Sequence, residues 1–122
     1  MTELQQIFTD TRRILLDAGW CQGASRDNVG RSCLLAALYT AIGPRPHAPA
    51  VMVLRRALGL PLHVAGCLGA EVAVWQDAPG RTVADVIDLL DRAIIATIPD
   101  PQTDWTPAQR REWIAQVLGA GF

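Results

Sequence analysis

There is no lysine in this chain: all eleven basic residues are arginine. With alanine abundant beside it, that bias suggests a GC-rich coding genome and says nothing about ligands. Excess charge of either sign is also missing. Twelve acids stand against eleven bases, so no global field steers the chain to nucleic acid or an anionic membrane, and it is no polyanionic DNA mimic. Long apolar runs are absent, none approaching the roughly 18 residues of a spanning helix. Residues Met1 to Gln6 lack the basic and apolar regions of a secretory signal, and the expected location is cytoplasmic.

Cysteine is scarce. Cys21, Cys33 and Cys67 are odd in number and far apart, which fits free thiols in a reducing compartment and excludes a disulfide framework. No Cys-x-x-Cys or His-x3-His pair is present, so no metal site and no cofactor are expected. The glycines form no phosphate cradle, because Gly23 to Gly30 lacks a Gly-Lys-Ser/Thr ending and no Gly-x-Gly-x-x-Gly is found.

What is present is apolar mass: half of the residues are hydrophobic and 19% are charged. In 122 residues this balance predicts one globular domain over 1–122 with one core. The periodicity predicts an all-α or mainly α bundle of about five helices. The first runs from Glu3 to Ala18 behind Thr2 as N-cap, with Leu4, Ile7, Phe8, Ile14, Leu15 and Ala18 at helical spacing. Gly19 is its expected left-handed stop, with Trp20 folding back on Leu15.

The run Cys33 to Ile42 is apolar on nearly every side and is expected at the centre, with Cys33 in the core. A short helix follows a Pro-rich turn through Pro49 and ends at Leu58, with Arg55 and Arg56 set against the helix dipole and Gly59 as its stop. Residues 60–76 are mixed in signal; Val72 to Trp75 fits a short extended segment or a helical turn. After the Pro79-Gly80 turn, Thr82 and Asp85 resemble a capping box opening a helix that carries Asp85, Asp88 and Asp91 outward and spaces Asp88 and Arg92 as a pair. A last helix, opened by Thr106, Pro107 and Gln109, is expected to reach Leu118 and bury Trp113, Ile114 and Val117.

Three segments taken together, Trp20-Cys21-Gln22-Gly23, Cys33 to Leu38, and Trp75-Gln76-Asp77-Ala78-Pro79-Gly80-Arg81-Thr82, resemble a small domain family of unknown function from actinobacteria and their phages. The likeness spans Thr11 to Ile95 and omits the last helix. The family pattern has glycine at the position of Ala36 and asparagine at that of Gln76, a departure that argues against a strict role for the amide at 76. The resemblance implies no activity.

Two loops headed by tryptophan concentrate the polar residues of an otherwise apolar chain. Trp20, Gln22, Arg26 and Asp27 belong to one, and Trp75, Gln76, Asp77 and Arg81 to the other. They are expected to lie near one another and to form a binding surface for a protein or small ligand; the competing reading makes the tryptophans core plugs and the charged groups caps. No catalytic residue is assigned. The expected function is a non-catalytic protein-interaction module, a phage or prophage accessory factor acting on a host protein. The alternative class is a small enzyme or ligand-binding domain using Cys67 with His63, or Cys21 with His47, and Asp77 as orienting group. A DNA-binding regulator is weaker, since His63 to Val74 contains no arginine to serve a recognition helix. Apolar faces at Val51 to Leu58 and Trp113 to Leu118 are compatible with a homodimer.

Overall fold

A computed structural model describes residues 2–60, 68–97, 106–109 and 112. Among these the regular elements are helical, in the order α1 (Glu3–Ala18), α2 (Leu34–Ile42), α3 (Ala48–Ala57), α4 (Ala70–Gln76) and α5 (Val83–Ala96). Residues 107–109 and 112 are also helical. Thr106 and Gln109 cap each other reciprocally at that point, while the rest of the expected last helix, with Trp113 to Leu118, lies outside the described residues. No helix of the described residues is long and apolar enough to cross a membrane.

α1 packs on α2 and α5, α5 also holds α3, and α4 rests on α2. One hydrophobic cluster runs through all five, from Phe8 and Leu15 through Leu34, Leu38 and Leu54 to Val72, Leu90 and Ile94. α1 and α5 both start with full capping boxes, Thr2 with Gln5 and Thr82 with Asp85. Each box satisfies two amides that a helix start leaves without partners. α3 ends as its sequence suggests: Gly59 takes φ +75° and the Leu60 N–H returns to the Arg55 carbonyl at 2.9 Å, a Schellman-type closure.

Several expectations change. Residues 70–76 form a helix, so Val72 to Trp75 is not extended; Val72 is buried and Val74 exposed. Ala18, expected on the buried face of α1, is exposed, whereas Thr9, Thr11 and Arg12 are buried. Thr11 lies inside because its hydroxyl donates to the Ile7 carbonyl at 2.7 Å. Asp91 does not face outward: it is fully buried and bonded to the Nε of Arg12 at 2.9 Å. Two three-residue steps rotate it about 120° from Asp85 around the helix, which turns it toward α1. Asp88 does pair with Arg92, at 3.2 Å.

Arg55 lies in the last turn of α3, as expected. It is fully buried, donating to the Leu68 carbonyl and to Glu71 Oε1, both at 3.1 Å, and so ties α3 to the start of α4.

Gly19 closes α1 with its N–H on the Leu15 carbonyl, but at φ +94° and ψ 165°. The chain therefore leaves extended instead of in the left-handed helical turn, a geometry open only to glycine. Ser32 closes the excursion that follows back onto its start: its N–H donates to the Gly19 carbonyl at 3.0 Å, and its own carbonyl accepts from Cys21 N–H at 3.1 Å. A Cβ at Gly19 would stand 2.8 Å from Cγ of Arg31.

Candidate functional site

The two tryptophan-headed loops meet, and the residue that joins them is Gln76. It is the last residue of α4, and its side chain is buried. Its Oε1 accepts the indole N–H of Trp20 at 2.6 Å and the backbone N–H of Leu34 at 2.8 Å, satisfying a free amide at the start of α2. Its Nε2 donates to Asp77 Oδ1. The amide at 76 thus has a structural role in this chain, whatever the departure from the family pattern implies for its strictness. A helix-terminal Gln in a polar run gave no signal of burial.

The remaining contacts across the seam are short and polar. Gln22 Nε2 donates to the carbonyls of Gln76 and Ala78 at 2.9 and 3.0 Å, and the N–H of Gly23 donates to Asp77 Oδ1 at 3.0 Å. Arg81 stays within its own loop, its Nε on the Trp75 carbonyl at 2.9 Å and its guanidinium 4.1 Å from the centroid of the Trp75 ring. Both tryptophans are half-buried against the core. Arg26 reaches Ser32 Oγ at 3.2 Å and Thr40 Oγ1 at 3.3 Å, making no described contact with the second loop.

Asp27 serves the tip of its own loop. Its Oδ1 accepts the N–H groups of Val29 and Arg31, and its Oδ2 pairs with the Arg31 side chain. Burial pushes this carboxyl upward, but the bonds from the Arg31 and Val29 amides and the Arg31 guanidinium outweigh it and hold the group below the ordinary carboxylate value.

Beside the seam lies a half-open cavity of about 330 Å³, lined by residues 23–25 with Cys33, Leu35, Ala36, Tyr39, Ala73, Gln76 and Asp77. Of the eight residues singled out from the sequence, Gln76 and Asp77 reach this wall. Trp20 and Gln22 brace it through the side-chain oxygen and the backbone of Gln76. Tyr39 and Ala36 carried no sequence signal because an apolar residue on a central helix reads as core. Tyr39 also stacks on His47, ring centroids 4.4 Å apart.

Cys33, expected in the core, is half-buried and part of this wall. It stands one residue ahead of α2, and its thiol turns back to accept the Ala36 N–H at 3.3 Å. Cys21 is buried, its thiol donating toward the carbonyls of Ala24 and Arg31. Burial, then the nearby Asp27 charge, pushes that thiol above its ordinary value, the opposite of what an activated nucleophile needs. The pair His63 and Cys67 lies outside the described residues. Among the described residues no group of three metal-ligating side chains converges.

A family model described as a family of unknown function, DUF6197, matches residues 1–96. The chain belongs to this family. The match begins at residue 1, so α1 is part of the DUF6197 unit and the likeness is longer than the three segments alone suggest. It stops at the end of α5, and the whole seam between the two loops falls within it. No curated protein and no solved structure matches the chain.

Proposed function

We propose that this DUF6197 protein is a non-catalytic protein-interaction module, and that the cavity beside the two tryptophan-headed loops receives a side chain of its partner. The observation that carries this reading is the bracing of the cavity rim. Gln22, Gly23, Gln76 and Asp77 are bonded to one another across two loops that are 54 to 56 residues apart in sequence, and such pre-organisation lowers the ordering cost of binding. The thiols of Cys21 and Cys33 are free and suit a reducing cytoplasm. The setting implied by the resemblance is a phage or prophage accessory factor acting on a host protein.

The test is affinity capture from the source cell with three forms: wild type, Ala36→Phe to fill the cavity, and Val29→Ser to alter the exposed loop tip. The expected result is one specific partner, lost with Ala36→Phe and kept with Val29→Ser, while the melting temperatures of all three stay close. Retention of the partner by a folded Ala36→Phe protein would overturn the reading.

A further inference from the structure

The cavity carries an uncompensated negative charge. Most acids of the described residues have an arginine at hand: Asp91 has Arg12, Asp10 has Arg13, Asp27 has Arg31, Glu3 has Arg45, Glu71 has Arg55 and Asp88 has Arg92. Asp77 lines the cavity and is part of no ion pair among these residues. Both hydrogen bonds it accepts fall on Oδ1, from Gly23 N–H and Gln76 Nε2. A carboxylate has about four acceptor positions, and among the described residues no bond falls on Oδ2. The nearest guanidinium in sequence, that of Arg81, is committed to the Trp75 ring and carbonyl.

The helix ends at the cavity do not change its sign. α2 presents its N-terminus there and α4 its C-terminus, and the partial charges of about half a unit at each are opposite. The α2 end is further spent, since Leu34 N–H bonds Gln76 and Ala36 N–H bonds the Cys33 thiol. The full charge of Asp77 remains. The larger part of the remaining wall is apolar, with Ala36, Ala73, Leu35 and Tyr39 among its residues, suited to a hydrocarbon stem, with an aromatic ring that favours a cation beside it.

We infer that the cavity binds an alkyl cation, the arginine or lysine side chain of the partner protein, with its charged head on Asp77 Oδ2 and its stem along Ala36 and Ala73. This rests on the interaction-module reading and adds the chemistry of what is recognised. Arginine has the advantage, because its planar fork can span a carboxylate oxygen and the neighbouring loop carbonyls together.

The test titrates n-butylguanidinium, n-butylammonium and, as anionic control, butyrate into the isotope-labelled full chain, following the amide resonances of Gly23 to Ser25 and Ala36. The two cations are expected to give saturable shifts at these amides and butyrate none. Asp77→Asn keeps an acceptor at the Oδ1 position and with it the loop bracing; it is expected to bind the cations about fivefold more weakly, the upper end for an exposed ion pair. Unchanged affinity in Asp77→Asn with a well-dispersed spectrum, shifts of equal size with butyrate, or no shift with any probe would overturn the inference. Should Asp77→Asn misfold, Ala73→Leu, which fills the cavity without touching the bracing, has to abolish the shifts. A capped pentapeptide with one central arginine has to bind more tightly than n-butylguanidinium if the source is a protein side chain. Equal binding would mark a free amine as the ligand and overturn the protein assignment. Failure of the cation probes together with loss of the partner in Ala36→Phe would sink this inference and leave the module reading standing; cation shifts with the partner retained by Ala36→Phe would overturn the module reading and, with it, the protein side chain as occupant.

Discussion

The indole N–H of Trp20 and the side-chain oxygen of Gln76 meet at 2.6 Å, and the same oxygen holds the first amide of α2. One acceptor therefore serves two donors from different parts of the chain. Gln76→Leu removes that acceptor without removing volume and leaves both donors unsatisfied in a buried place. The expected loss is about 2–6 kcal/mol, taking 1–3 for each stranded group, read as a lower urea midpoint at unchanged slope. A change within 0.5 kcal/mol would mean that water replaces the amide.

The buried pair Arg12 and Asp91 predicts a different pattern. Asp91→Ala is expected to destabilise by about 3–5 kcal/mol, since it removes the carboxylate paired with a buried guanidinium. The double change Arg12→Met with Asp91→Leu is expected to recover most of that loss, because apolar packing can replace a buried ion pair. Thermal unfolding of Arg12→Met, Asp91→Leu and the double variant completes the cycle; additive losses would contradict it.

Thiol labelling separates the two described cysteines. In a Cys67→Ser background at neutral pH, Cys33 in the open cavity wall is expected to react with an aromatic disulfide reagent while Cys21 resists until the chain unfolds. The raised Cys21 thiol also has a signed consequence. It favours the folded state below the ordinary thiol value, and this contribution is lost as pH climbs through the raised value. Stability measured in a Cys21→Ser variant should lose that alkaline slope.

Asp27 works in the other direction. Its contribution is present above the ordinary carboxylate value of 3.8 and is lost as pH falls through the lowered folded value. The amide resonances of Val29 and Arg31, which it accepts, should titrate together below that ordinary value. Titration at or above it would show that the loop tip is not held by this carboxylate.

Much of the fold was readable because helix starts and stops are written in local chemistry. Thr2 and Thr82 with their partners three residues on, and Gly59 after Leu58, act through the backbone nearest them, so neighbours in sequence suffice. The fates of Arg12, Arg55 and Asp91 were not readable, since a buried ion pair depends on which helix faces which. Burial of Gln76 was hidden for the same reason: its donors, Trp20 and Leu34, are 56 and 42 residues away. At the site, the proximity of the two loops was legible from their shared polar composition, but the cavity was not. It arises where small residues of α2 and α4, Ala36 and Ala73, face each other across a gap that neither helix fills.

The double anchorage of Ser32 separates the length of the intervening loop from the placement of the helices. Because its N–H and carbonyl reach Gly19 and Cys21, residues 20–32 leave and return at one point, and α1 joins α2 as though the excursion were a bead on a closed ring. A second rung, Asp27 N–H to the Arg31 carbonyl at 3.0 Å, isolates the tip at 28–30, all of it exposed. Doubling the length of a flexible loop costs only about 0.6 kcal/mol in closure entropy. This tip is therefore the place where related chains can differ in length, and where a tag or reporter can be spliced in, with the helices and the cavity rim keeping their positions.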